Sequence, residues 1–87
     1  MKLEKADAVV KQLIIQFLLK HPDEIYTSRD IAEEFNLPSY MAVRPPAIIQ
    51  IIGAEYFIND PVAQKKYFGC PEAISRYKNL AGLNDEN

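Results

Sequence analysis

A mainly α chain carrying one small antiparallel β-hairpin is what this sequence predicts, on three observations. Apolar residues recur at helical spacing through the first twenty positions. A polar cap and two short apolar turns fill the middle. An aromatic, β-branched segment after Gly53 then returns on itself through Asn59-Asp60-Pro61. At 87 residues, 48% of them hydrophobic, the chain suits one domain with a modest core.

The first element is an amphipathic helix over residues 4–20. Val9, Val10, Leu13, Ile14, Phe17 and Leu18 share a face, with Lys11, Gln12, Gln16 and Lys20 mostly opposite. Ile15 and Leu19 widen the apolar arc beyond one core contact, so the helix is either deeply buried or shared with a second copy. Pro22 stops it by disfavouring helical geometry at His21. Thr27 and Asp30 have the spacing at which a hydroxyl and a carboxylate satisfy free N–H groups, which starts a second helix over residues 28–35 with Ile31, Ala32 and Phe35 inward.

The next stretch is interrupted by Pro45-Pro46. Neither proline has an N–H, and each biases its predecessor away from the helix, so a short turn over residues 39–43 should precede a fresh start with Pro46 in the first turn. Ala47-Ile48-Ile49-Gln50-Ile51-Ile52 is apolar nearly all round and needs cover on more than one side. Gly53 ends it. Glu55, Tyr56, Phe57 and Ile58 have strand composition, and Lys65, Lys66, Tyr67 and Phe68 read as the returning strand of a hairpin over residues 54–69. Pro71 and Glu72 open a last helix with Ala73, Ile74, Tyr77 and Leu80 on one face, Gly82 stops it, and residues 83–87 are expected to form a mobile tail. Residues 1–82 thus form a single domain, with a core drawn from Val10, Leu13, Ile14, Phe17, Ile31, Phe35, Val43, Ile48, Ile51 and Phe57.

The middle of the chain resembles the winged helix-turn-helix family. The features that carry the likeness are the polar cap at Thr27, Ile31, Ala32 and Phe35 on one helical face, a turn at Leu37, Val43 in the next helix, and a glycine ahead of an aromatic strand. The resemblance implies that the small side chain of Ala32 lets the following helix approach closely. It also implies a regulator of transcription that binds double-stranded DNA, with residues 54–69 as its wing. Ser39, Tyr40, Arg44 and Gln50 are then the groups available for the major groove: Arg44 for guanine or phosphate, Ser39 for a cap or a phosphate, Tyr40 for backbone or stacking. Lys65 and Lys66, at the wing, either reach phosphate or protect an exposed strand edge from pairing with other chains.

Charge qualifies this expectation. The net charge is -2, whereas nucleic-acid binding draws on a positive field. Up to Asp60 acids outnumber bases, and between Pro61 and Leu80 the sign reverses through Lys65, Lys66, Arg76 and Lys78 against Glu72. The diproline, the sparse base-reading groups and the acidic balance support a different expectation on the same fold: a protein-interaction module, either an assembly subunit or a small inhibitor of a host protein, that binds no DNA. A homodimer is expected through the first helix, the last helix or both, with Ile15, Leu19, Ile74 and Tyr77 as candidate contacts.

Catalysis and metal chemistry have little to stand on. His21 and Cys70 are single residues of their types, so no His and Cys zinc set assembles and no oriented Cys-His nucleophile pair is evident, and isolated glycines make no phosphate loop. No metal, no cofactor and no enzymatic activity are expected. Residues 1–5 lack a signal-peptide pattern, no apolar run reaches about 18 residues, and a lone cysteine fits a reducing compartment. A cytoplasmic location without a membrane span is the resulting expectation.

Overall fold

A computed structural model describes residues 3–83, with side-chain surroundings from residue 8 onward. The described residues form four α-helices and one two-stranded antiparallel sheet, a mainly α fold with a small β-hairpin as expected. In chain order these are α1 (Leu3–Lys20), α2 (Ser28–Glu34), a 3-10 turn at Ser39–Val43, α3 (Pro45–Ile52), a 3-10 turn at Ala54–Tyr56, β1 (Phe57–Asp60), β2 (Lys65–Phe68) and α4 (Pro71–Ala81).

Helix boundaries follow local chemistry. At α2 both halves of a capping box form: the Asp30 N–H donates to Thr27 Oγ1 and the Thr27 N–H to Asp30 Oδ2, each at 3.1 Å. The helix ends one residue earlier than expected, with Phe35 as its cap and Asn36 at φ 55. There the Leu37 N–H donates to the Ala32 carbonyl at 2.9 Å and the Asn36 N–H to that of Glu33 at 3.4 Å, a Schellman turn whose left-handed position asparagine tolerates. The same device closes α4, where Gly82 at φ 72 and Leu83 donate to Asn79 and Lys78. Leu83 therefore belongs to the helix stop rather than to a tail, and residues 84–87 lie outside the described residues. Pro45 and Pro46 occupy the first turn of α3, after a separate 3-10 turn.

One buried cluster joins every layer. Ile14 and Leu18 of α1, Ile31 of α2, Ile48 and Ile52 of α3, Phe68 of β2, and Cys70 and Ala73 at the start of α4 all pack together. Val10, Phe17, Phe35, Ile51 and Phe57, expected in the core, are partly buried against this cluster. Two expected core residues are on the surface instead: Leu13 is 49% exposed and Val43 65%. The apolar arc of α1 is wider than the body it packs on, so the helix turns its Ile14–Leu18 side inward and leaves Val9 and Leu13 in water. Val43 is carried outward because the 3-10 turn does not continue the phase of α3.

The hairpin pairs Phe57 with Phe68, Ile58 with Tyr67, Asn59 with Lys66 and Asp60 with Lys65. It starts later than the composition suggests. Glu55 and Tyr56 lie in a 3-10 turn, and Asn59 and Asp60 are strand rather than turn. Gly53, at φ 101 and ψ 154, redirects the chain through backbone geometry closed to other residues. An isolated bridge engages the other edge of β2: the Tyr26 N–H donates to the Phe68 carbonyl at 2.7 Å and the Phe68 N–H donates back at 2.6 Å. No helix among the described residues is long and apolar enough to cross a membrane.

Candidate nucleic-acid interface

Three of the six expected contact residues are brought together. Tyr40, Arg44 and Gln50 line one groove of about 470 Å³ at the start of α3, with Val43, Pro45, Pro46 and Ala47 completing it. Tyr40 and Gln50 also border a second groove, of about 420 Å³, which runs toward α1 past Val10, Leu37, Met41 and Ile51. All three side chains are exposed, Tyr40 at 52%. Ser39 is exposed at the first position of the 3-10 turn and lines neither groove.

The backbone places Arg44 at the junction between the two helical segments, at φ -129 and ψ 81. That conformation is non-helical, in keeping with the clash by which Pro45 disfavours helical geometry at its predecessor. Six residues later, Gln50 is exposed while Ile48 and Ile52 are buried, which fixes the solvent face of α3. Pro45 and Pro46 also remove two backbone donors from the end of α3. An anion approaching there must be met by side chains rather than by the amides a helix start usually offers.

Beneath the groove, Ser28 anchors α2 to the segment that precedes α3. It is buried at 7% exposure, and its hydroxyl donates to the Ala42 carbonyl at 2.8 Å, which ties the first turn of α2 to the 3-10 turn bearing Tyr40. Composition offered no sign of this, because a serine beside a capping threonine reads as another solvated cap residue. Ala32, buried at 4%, lies on the same packed side of α2.

Lys65 and Lys66 sit on β2, both exposed. The hairpin carrying them is braced by Asp60, which sequence reading treated as a turn residue and which is 3% exposed. Asp60 Oδ1 accepts the N–H groups of Val62 and Ala63 at 3.1 Å each, and Oδ2 accepts the Tyr77 hydroxyl from α4. The Tyr77 hydrogen bond, then that from Ala63, holds the Asp60 carboxyl below its ordinary range. The same bond pushes the Tyr77 phenol up to about 12. Tyr77 thus braces the hairpin through its hydroxyl, and Ile74, expected to meet a second copy, is buried at 7% exposure. Arg76 is engaged too, 3.3 Å from Asp23 and 3.8 Å from Glu72, which takes it out of the basic surface.

On α2, Asp30, Glu33 and Glu34 line an open cleft with Phe17 and Tyr26. Burial and a 2.8 Å hydrogen bond to Glu24 raise the Tyr26 phenol to about 12. This acidic side would repel a phosphate backbone, which confines any nucleic-acid surface to the Tyr40, Arg44, Gln50 groove and the hairpin. Among the described residues no group of three His, Cys, Asp or Glu side chains is placed to hold a metal ion. Comparison of the chain with protein-family models, curated proteins and solved structures finds no match.

Proposed function

We propose that this domain is a small winged-helix DNA-binding regulator of transcription that engages double-stranded DNA as a homodimer. The observation that carries the reading is the convergence of Tyr40, Arg44 and Gln50 on one exposed groove at the start of α3, ahead of a braced hairpin with two exposed lysines. Arg44 supplies a fork suited to guanine or phosphate, Gln50 an amide suited to adenine, and Tyr40 a ring and hydroxyl for the sugar-phosphate edge. Pairing of two copies is supported by Val9, Leu13 and Leu19, each about half exposed on α1.

The remainder of the groove supports a second reading. Val43, Pro45, Pro46 and Ala47 make its lining largely apolar, and an aromatic and an arginine beside such a surface suit a protein contact. One experiment separates the two. Retention of duplexes from a randomised library, measured by mobility shift at two salt concentrations, should be salt-sensitive and weakened by roughly 1–3 kcal/mol in Arg44→Ala if the side chain reads a base. A stoichiometric protein partner that survives nuclease, with no duplex retained, would instead select the protein-interaction module.

A further inference from the structure

We infer that the hairpin offers DNA only one of its two lysines, Lys66, with Asn59 beside it as an unassigned backbone-contacting residue, while Lys65 is turned away. The inference rests on the DNA-binding reading above. Successive side chains on a strand point to opposite faces of the sheet, so Lys65 and Lys66 cannot approach the same phosphate backbone together. The strand register says which face each occupies. Lys66 and its cross-strand partner Asn59 share a face with Phe57 and Phe68, whose rings are 5.1 Å apart and which pack into the core that contains Ile48 and Ile52 of α3. That face is continuous with the cluster to which α3 contributes Ile48 and Ile52, and toward the hairpin tip it ends in two exposed polar side chains.

Lys65 shares the other face with Ile58, Tyr67 and Asp60. Here α4 covers the sheet: the Tyr67 and Tyr77 rings are 5.4 Å apart, and Tyr77 donates to Asp60. Directly opposite residues have Cβ atoms roughly 4.5–5.5 Å apart, so Lys65 stands across from Asp60, whose carboxylate is taken up by the Val62 and Ala63 N–H groups and the Tyr77 hydroxyl. Lys66 faces an uncharged amide. The ammonium of Lys66 therefore meets one phosphate, and the Asn59 amide donates to a neighbouring phosphate oxygen.

Fluorescence anisotropy with a duplex selected from a random-sequence library, titrated from about 50 to 200 mM salt, tests this. Lys66→Ala should weaken binding roughly fivefold and lower the salt slope by about one. Asn59→Ala should weaken it about twofold to threefold with the slope unchanged, since an amide releases no counterion. Lys65→Ala should change neither quantity by more than about twofold. All three positions are exposed, and unchanged thermal melting confirms that the variants are folded. Wild-type binding with Lys65→Ala as damaging as Lys66→Ala, or with Lys66→Ala and Asn59→Ala both silent, overturns the inference and leaves the DNA-binding reading standing. Failure of the wild type to retain any duplex overturns both.

Discussion

Ile14 and Leu13 are neighbours in α1 that hydropathy alone would bury together, and the fold separates them completely: Ile14 is 0% exposed and Leu13 49%. Replacing each with alanine should therefore give unequal costs. Ile14 sits among Leu18, Ile31, Ile48 and Phe68, where truncation removes transfer energy and leaves a cavity that surrounding helices close only partly, a loss of about 2–5 kcal/mol. Leu13 forfeits roughly half of the 1.5–3 kcal/mol attached to a fully buried leucine, about 1 kcal/mol, with no enclosed void. Alanine's better helix propensity returns a few tenths of a kcal/mol at both positions. Urea unfolding followed by far-UV circular dichroism reads the contrast. With a slope of about 1 kcal/mol per molar, Ile14→Ala should lower the midpoint by about 2 M or more and Leu13→Ala by about 1 M or less. A chain of this length holds only about 4–13 kcal/mol in total, so Ile14→Val, costing about 1 kcal/mol, serves if the alanine variant does not fold. Equal shifts, or a larger one at Leu13, would refute the assigned orientation of α1.

Three further outcomes are expected. Tyr77 has a phenol pKa raised from 10.0 to about 12; a raised value favours the protonated folded form, so stability present below pH 10 should fall between about 10 and 12. Thermal melts across that range should show a shallower fall in Tyr77→Phe, and an identical fall would remove Tyr77 as a source of it; Tyr26, with a similar rise, provides the residual slope. Gly53→Ala should cost about 1–3 kcal/mol, because φ 101 with ψ 154 is strained for any Cβ and that atom would sit 2.9 Å from Glu55 Oε1; unchanged denaturant stability would contradict that backbone geometry. Thr27→Ala should cost about 1 kcal/mol by opening the α2 capping box, with Thr27→Ser restoring most of it.

Punctuation was the legible part of this chain. Pro22, the Thr27 and Asp30 box, Pro45-Pro46, Pro71 and Gly82 each act through one or two residues of backbone, so their effects can be read without knowing the tertiary fold. The long-range choices were not legible. α1 is apolar over so wide an arc that periodicity alone could not say which side would meet α3, and Leu13 and Val43 went to the surface for that kind of reason. Asp60 looked like a turn former because its hydrogen-bond partner, Tyr77, lies 17 positions away and itself resembled part of an apolar stripe. Within the candidate interface, Tyr40, Arg44 and Gln50 were readable from the 3-10 turn and the phase of α3. The buried tie from Ser28 to Ala42 was not, since it depends on a backbone carbonyl that carries no side-chain signal.

The reciprocal pair of main-chain bonds between Tyr26 and Phe68 joins the loop ahead of α2 to the last strand. A chain stopped before the hairpin would contain every residue of α1, α2 and α3 yet would lack the Phe68 ring these three helices close around, and Tyr26 would have no ladder to join. Formation of the fold thus waits on a contact spanning about half of the polypeptide, a loop whose closure entropy is spent before any of its apolar burial is gained. Helices and hairpin should consequently melt in one transition, and a nick anywhere between residues 26 and 68 should loosen both together.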